Sequence, residues 1–138
     1  MNLRTKSQKG FTIVELLIVI VVIAILAAIS IVAYTGVQNN ARLTQYQADA
    51  KTVIDAANAY NAEHGTFPTH AQLGSYNTVK LSSGVLTKIG TDTPNTTAPS
   101  DTNKEGLRYT HTATSATVDY YGKNSAGTEG MQTFTSGS

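Results

Sequence analysis

Three residues near the start of the chain have the types and spacing of a processing and ion-pair site: Gly10, Phe11 and Glu15. Glu15 is an acid within a long apolar run, where an unpaired carboxylate is costly and marks a functional site with a partner. A cut after Gly10 would create a free cationic amine at Phe11, about one helical turn from that carboxylate. The predicted chemistry is therefore processing of the chain followed by pairing of an amine with a carboxylate.

The apolar run that carries Glu15 occupies residues 11–34, and only Thr12, Glu15 and Ser30 interrupt it. As a helix it would be about 36 Å long, enough to cross the roughly 30 Å hydrocarbon core of a bilayer. Three cations precede it: Arg4, Lys6 and Lys9. By the positive-inside tendency they place the N-terminus in the cytoplasm and the rest of the chain outside.

A one-sided helical pattern follows this run. Apolar side chains recur at steps of three and four, as on one face of an amphipathic helix: Leu43, Tyr46, Ala50, Val53, Ala57 and Tyr60. Polar side chains are predicted on the other faces: Gln45, Gln47, Asp49, Lys51, Asp55 and Asn58. Gly65 accepts the positive φ of a C-terminal cap, and Pro68 forbids continuation. We predict one helix from Phe11 to His64, with Gly36 as the position for a kink.

The remaining residues have the pattern of a small sheet domain. Three stretches have strand character: Gly106–Thr112, Ala116–Tyr121 and Met131–Thr135. Residues 69–89 are ambiguous and are read as a short helix followed by a strand, and residues 91–105 as a surface loop. The predicted fold class is α+β, with a long N-terminal helix packed against a small C-terminal antiparallel sheet. We divide the chain into a basic leader (1–10), a membrane-spanning helix (11–34), an amphipathic spine (35–65) and a β domain (66–138).

Composition excludes several functions. The chain has 138 residues and no cysteine, so disulfide bonds, thiol nucleophiles and cysteine metal sites are impossible. Without the first ten residues, seven Lys and Arg stand against nine Asp and Glu, and the cations are spread along the chain. No nucleic-acid site is evident, because such sites need clustered cations.

The other residues that could form a functional site fit ordinary structural or surface roles better. The histidines His64, His70 and His111 have no zinc-site spacing, and the loop acids Asp92, Asp101 and Glu105 lack the density of a calcium loop. The triplet beginning at Asn95 has the form of a glycosylation acceptor. No serine stands in a nucleophile motif. We expect no enzyme, no metal and no cofactor.

The N-terminal residues resemble a known signature. The stretch Lys9-Gly10-Phe11-Thr12-Ile13-Val14-Glu15-Leu16-Leu17-Ile18-Val19 is similar to that of type IV pilins and pseudopilins, and Ile25–Ile29 and Ala33-Tyr34 continue the match. The segment ending Gly65-Thr66-Phe67-Pro68 also resembles the helix-to-domain junction of this superfamily. The resemblance covers the first half of the chain, whereas residues 69–138 agree only in general architecture.

This resemblance implies specific roles. Gly10 and Phe11 would flank the cut of a membrane aspartyl peptidase that also methylates the new amine of Phe11. Glu15 would pair with the Phe11 amine of a neighbouring subunit in a filament of packed helices. Ala24 and Val32 occupy positions where many members have glycine and proline, which leaves Ser30 or Gly36 as substitutes for local unwinding.

The predicted function is that of a structural subunit of a type IV pilus-like filament. Its expected partners are copies of itself, other pilins, the prepilin peptidase and methyltransferase, and the assembly platform with its ATPase. It would be held in the cytoplasmic membrane as a single-pass precursor and appear on the cell surface after assembly. One alternative is a minor pilin or pseudopilin of a type II secretion or competence machine. Another is a signal-anchored or secreted binding domain that never polymerises, for example after cleavage behind Ser30.

Overall fold

The computed structural model describes residues 10–90 and 95–137. The leader cations Arg4, Lys6 and Lys9 and the loop acid Asp92 lie outside the described residues. Six elements follow one another: α1 (Ile13–His64), α2 (His70–Ser75), α3 (Ser83–Ile89), β1 (Arg108–His111), β2 (Ser115–Lys123) and β3 (Glu129–Gly137). A long helix followed by a small antiparallel sheet confirms the predicted α+β class.

Helix α1 contributes to two compact units, residues 1–39 and 40–138. In the first unit the helix is apolar on all sides, and it is long and apolar enough to cross a membrane. Its large side chains are all exposed, for example Ile13 at 85% and Val37 at 68%, as is Phe11 just before the helix. The helix begins at Ile13, close to the predicted start near Phe11, because Thr12 caps it, and it ends at His64 as predicted.

In the second unit α1 buries the predicted stripe. Leu43, Tyr46, Ala50, Val53 and Ala57 are buried, and Tyr60 is half-buried. Ala50, Val53 and Ala57 form the helical side of a core whose other side comes from the sheet and the two short helices. Leu43 and Tyr46 pack instead in a second cluster with Tyr121 of β2. The prediction was wrong for Asp49, which was placed on a solvent face and is in fact buried.

Asp49 is buried because it has a partner in another element. Its Oδ2 atom lies 2.5 Å from the Nζ atom of Lys88 in α3, and its Oδ1 atom accepts a hydrogen bond of 2.6 Å from Gln45. A buried carboxylate is tolerated when it is paired and hydrogen-bonded in this way. The ion pair fastens α3 onto the spine helix.

The sheet is an antiparallel meander in the order β1-β2-β3. Its register places Tyr109, Val118 and Phe134 side by side across the three strands. Tyr109 and Val118 are fully buried in the core, and Phe134 packs against it. All three predicted strands are confirmed, although β1 is shorter than predicted and β3 is longer.

The strand predicted before residue 89 is wrong, because Ser83–Ile89 is the helix α3. Its start is set by Ser82, whose side chain accepts a hydrogen bond from the Val85 backbone, and its end by Gly90 with a φ of 68°. Such a capping hydroxyl and a left-handed glycine are typical helix boundaries. The described part of the predicted loop, residues 95–105, contains no helix or named strand, in agreement with the prediction.

Candidate functional site

Residues Gly10, Phe11 and Thr12 precede helix α1, and all three are exposed. The helix starts at Ile13 because Thr12 acts as its N-cap. The Thr12 Oγ1 atom accepts a hydrogen bond of 3.2 Å from the backbone N–H of Glu15. A capping hydroxyl satisfies one of the backbone N–H groups that have no partner within the first helical turn.

The Glu15 carboxylate completes this cap from the other side. Its Oε2 atom accepts hydrogen bonds from the backbone N–H and the hydroxyl of Thr12, each 2.8 Å long. Reciprocal bonds between an N-cap threonine and the glutamate three residues later make a capping box. This capping box was not predicted, although the Thr12-x-x-Glu15 spacing is its sequence signature.

The capping box gives Glu15 a local structural role but occupies only one of its two carboxylate oxygens. Both bonds from Thr12 end on Oε2, and the described residues place no hydrogen-bond donor on Oε1. Glu15 is also exposed to its surroundings. One carboxylate oxygen therefore stays available to a cation from outside the chain.

The surface around Glu15 is apolar. Glu15 lines an open groove of about 580 Å³ together with Phe11, Leu16, Ile18 and Val19. A contiguous exposed apolar surface of this kind marks a membrane or protein contact. The geometry combines an acceptor for one positive charge with a surface that must be covered by lipid or by other helices.

Two of the three histidines that were considered as metal ligands lie close together in the second unit. The rings of His70 and His111 lie 5.9 Å apart, and each also packs on the ring of Tyr109. Burial and the neighbouring His111 lower the pKa of His70, and a hydrogen bond to the Tyr109 backbone partly offsets this. His64 instead stacks on Tyr60 at the end of α1.

No group of three or more potential ligands that could hold a metal ion occurs within residues 10–90 and 95–137. Of the acids considered for calcium, Asp101 accepts a hydrogen bond from Tyr121, and Glu105 is exposed. Asn95 has a structural role, since its side-chain nitrogen donates to the carbonyls of Lys88 and Leu107 at 3.2 and 3.1 Å.

Residues 5–31 match the family described as the prokaryotic N-terminal methylation motif, which spans Gly10, Phe11 and Glu15. A type IV major pilin protein PilE of Neisseria gonorrhoeae is 36% identical over 76 residues, which cover 53% of this chain and 46% of that protein. A type IV major alpha-pilin of Moraxella bovis is 44% identical over 54 residues, or 37% of this chain and 34% of its own. The chain is thus similar to type IV pilins over about half of its length or less.

The chain is also similar to the type II secretion system core protein G of Pseudomonas aeruginosa. The two are 27% identical over 70 residues, which cover 51% of this chain and 49% of the relative. No solved structure matches the chain. The chain spans about half or less of the length of these relatives, which are pilins and a secretion-system protein rather than enzymes.

Proposed function

We propose that this chain is a structural subunit of a type IV pilus-like filament. The precursor is held in the membrane by residues 11–34, cut after Gly10 and methylated on the new amine of Phe11. It then polymerises by packing of its apolar helix and by contact of the Phe11 amine with Glu15 of a neighbour. The observation that carries this proposal is the exposed apolar surface of residues 13–34 in α1, where Glu15 is the one carboxylate.

The physical argument rests on the cost of that carboxylate in hydrocarbon. A charge in the bilayer is unfavourable unless it is paired, and the Thr12 hydrogen bonds satisfy Glu15 only on Oε2. Docking beside a subunit whose Phe11 amine reaches Oε1 neutralises the charge, so the contact selects the correct position. A contact from the amine of one copy to the carboxylate of the next is head-to-tail, which produces an open fibre rather than a closed ring.

The proposed partners follow from these steps of membrane insertion, processing and assembly. A membrane peptidase and methyltransferase would act at Gly10 and Phe11, and an assembly platform with its ATPase would lift the subunit from the membrane. Residues 35–65 would then form the spine that carries the β domain on the outside of the filament. The precursor would lie in the cytoplasmic membrane with its N-terminus inside, and the assembled filament on the cell surface.

The similarity to the type II secretion core protein G favours a second candidate within the superfamily. In that case the chain would be a minor pilin or pseudopilin of a secretion or competence machine. Counting subunits in purified filaments separates the two, because a major pilin must dominate the filament mass whereas a minor subunit or pseudopilin does not.

Intact-mass measurement of the exported chain tests the processing step. We expect loss of residues 1–10 and the gain of one methyl group. An added Cβ meets nothing within 4 Å at Gly10 or at Gly36, so Gly10→Leu and Gly36→Leu are matched variants of two open positions. Gly10→Leu should retain the leader, and Gly36→Leu should be processed normally. A mature chain that starts at Ile31 would instead establish the exported binding domain and refute the pilin proposal.

A further inference from the structure

The two edges of the β-sheet differ in how they are covered. Strand β1 forms one edge, and side chains from outside the sheet lie along it: Asn95 donates to the Leu107 carbonyl just before the strand, and the His70 ring packs against the ring of Tyr109. Covering an edge in this way blocks pairing with another chain. Strand β3 forms the opposite edge.

The ladder between β2 and β3 determines which backbone groups of β3 face outward. The backbone bond from Asn124 N–H to the Thr128 carbonyl starts the hairpin, and hydrogen-bonded pairs alternate along an antiparallel ladder. Gly130, Gln132, Phe134 and Ser136 therefore bond to β2. The backbone N–H and carbonyl groups of Met131, Thr133 and Thr135 point away from the sheet, and within the described residues no backbone partner meets them.

Beyond Glu129, which pairs with Lys104 at the start of β3, the outward-facing side chains of the strand are accessible and uncharged. Met131, Thr133 and Thr135 are all exposed, Met131 to 48%. Charged residues and proline commonly protect an edge strand from pairing, and residues 130–137 contain neither. This edge is therefore a template for a further strand.

We propose that β3 pairs antiparallel with β3 of a second copy of this chain, centred on Thr133. In this register Thr133 faces Thr133 of the second copy, and Met131 faces its Thr135. Threonine–threonine pairs on one face are favourable, and no like charges meet directly. A copy of the same strand fits better than a charged peptide, because the uncharged edge offers a charged side chain no partner.

The symmetry of this contact decides what it does. The same patch is used on both sides, so the contact is two-fold and closes on itself. It cannot extend a polar fibre, and instead joins two chains sideways, for instance subunits on two adjacent filaments. The inference goes beyond the proposed function and does not depend on it, because it concerns only the edge of the β domain.

Single-cysteine variants of the purified full-length chain in detergent test the register. The chain has no cysteine of its own. Under mild oxidation, Thr133→Cys should form a disulfide-linked dimer, because facing Cα atoms of an antiparallel pair lie within disulfide reach. Met131→Cys alone and Thr135→Cys alone should not, since each residue is about 13 Å along the strand from its own copy. A mixture of these two variants should form the mixed dimer.

A second pair of variants tests the role of the backbone. Thr135→Pro removes an outward N–H while leaving the ladder to β2 intact, and should abolish dimer formation by Thr133→Cys. Thr135→Ala, which keeps that N–H, should not. Equal cross-linking of all single-cysteine variants, or dimers that survive Thr135→Pro, would overturn the proposal.

Thr133 also donates a hydrogen bond of 2.6 Å to Asp119, which Thr133→Cys would change. The mixture of Met131→Cys and Thr135→Cys tests the same register with Thr133 unchanged. Filaments are not needed, so failure here is distinct from failure of the proposed function.

Discussion

Removing one buried hydroxyl should loosen the junction between the spine helix and the β domain. Tyr109 of β1 is fully buried, and its hydroxyl donates a hydrogen bond of 2.8 Å to the backbone carbonyl of Pro68. Pro68 is itself among the most buried side chains. The bond joins residues 41 positions apart, so it ties the segment after α1 to the sheet.

Tyr109→Phe keeps the ring and deletes this donor. The net value of such a bond is about 1 kcal/mol, and leaving a buried carbonyl without a partner raises the cost to about 1–3 kcal/mol. In a domain of 60–100 residues each kcal/mol lowers the melting temperature by about 4–8 °C. We expect a decrease of this size in the unfolding midpoint of the full-length chain in detergent, followed by near-ultraviolet circular dichroism of its tyrosines.

Tyr120→Phe is the matched control. Tyr120 is also buried in the core, but its hydroxyl has no hydrogen-bond partner among the described residues. The control should change the free energy of unfolding by less than about 0.5 kcal/mol. If the two variants were equally stable, the Pro68 contact would contribute nothing and the reasoning would fail.

The same variant has a signature at alkaline pH. Burial raises the pKa of Tyr109 above the ordinary tyrosine value of 10. Above that pH the unfolded chain loses the phenolic proton while the folded chain retains it, so wild-type stability falls as pH rises. Tyr109→Phe should remove part of this decrease, as shown by unfolding midpoints at pH 8 to 11.

Three further outcomes are expected. Glu15→Gln keeps a residue that can complete the capping box but loses the charge. The variant should insert in membranes, and its incorporation into filaments should be lost to the same extent as that of Glu15→Ala. Normal incorporation in sheared filaments would mean that Glu15 acts only as a helix cap. Asp49→Ala should lower stability by about 1–3 kcal/mol through loss of a largely buried ion pair, whereas Asp55→Ala, which removes an exposed pair, should have little effect in denaturant titrations. Because the pKa of His70 is lowered, the unfolded chain binds that proton first and stability should fall below about pH 6.5; His70→Gln should flatten this fall in acid melts, and His64→Gln should not.

The helix and the sheet could be predicted because their patterns are periodic. The apolar stripe repeats at helical spacing over several turns, and Gly65 with its φ of 73° ends α1 where the sequence indicated. The strands were recognisable from alternation, as with buried Tyr109 beside half-buried Arg108. Patterns of this kind reflect burial on one face, which the sequence records directly.

The errors arise where a partner is distant or a cap was overlooked. Asp49 was assigned to solvent because its partner Lys88 lies 39 residues away, which no local pattern shows. Helix α3 was read as a strand because its few apolar residues fit either period, although Ser82 and Gly90 mark the ends of a helix. The Thr12–Glu15 capping box was likewise readable from its spacing. For the proposed assembly site, the residue types could be predicted from the sequence, and the structure added the geometry of the Glu15 carboxylate.

The start of helix α1 at Ile13 bears on how the chain would be cut. A peptidase must hold its substrate backbone in an open conformation, and a bond inside a helix has to be unwound before it can be cleaved. The Thr12 cap leaves Gly10 and Phe11 outside the helical ladder, with both residues exposed. In the proposed processing, the peptide bond between them would therefore be open to attack without local unfolding, and the rest of the long helix would stay folded during the cut.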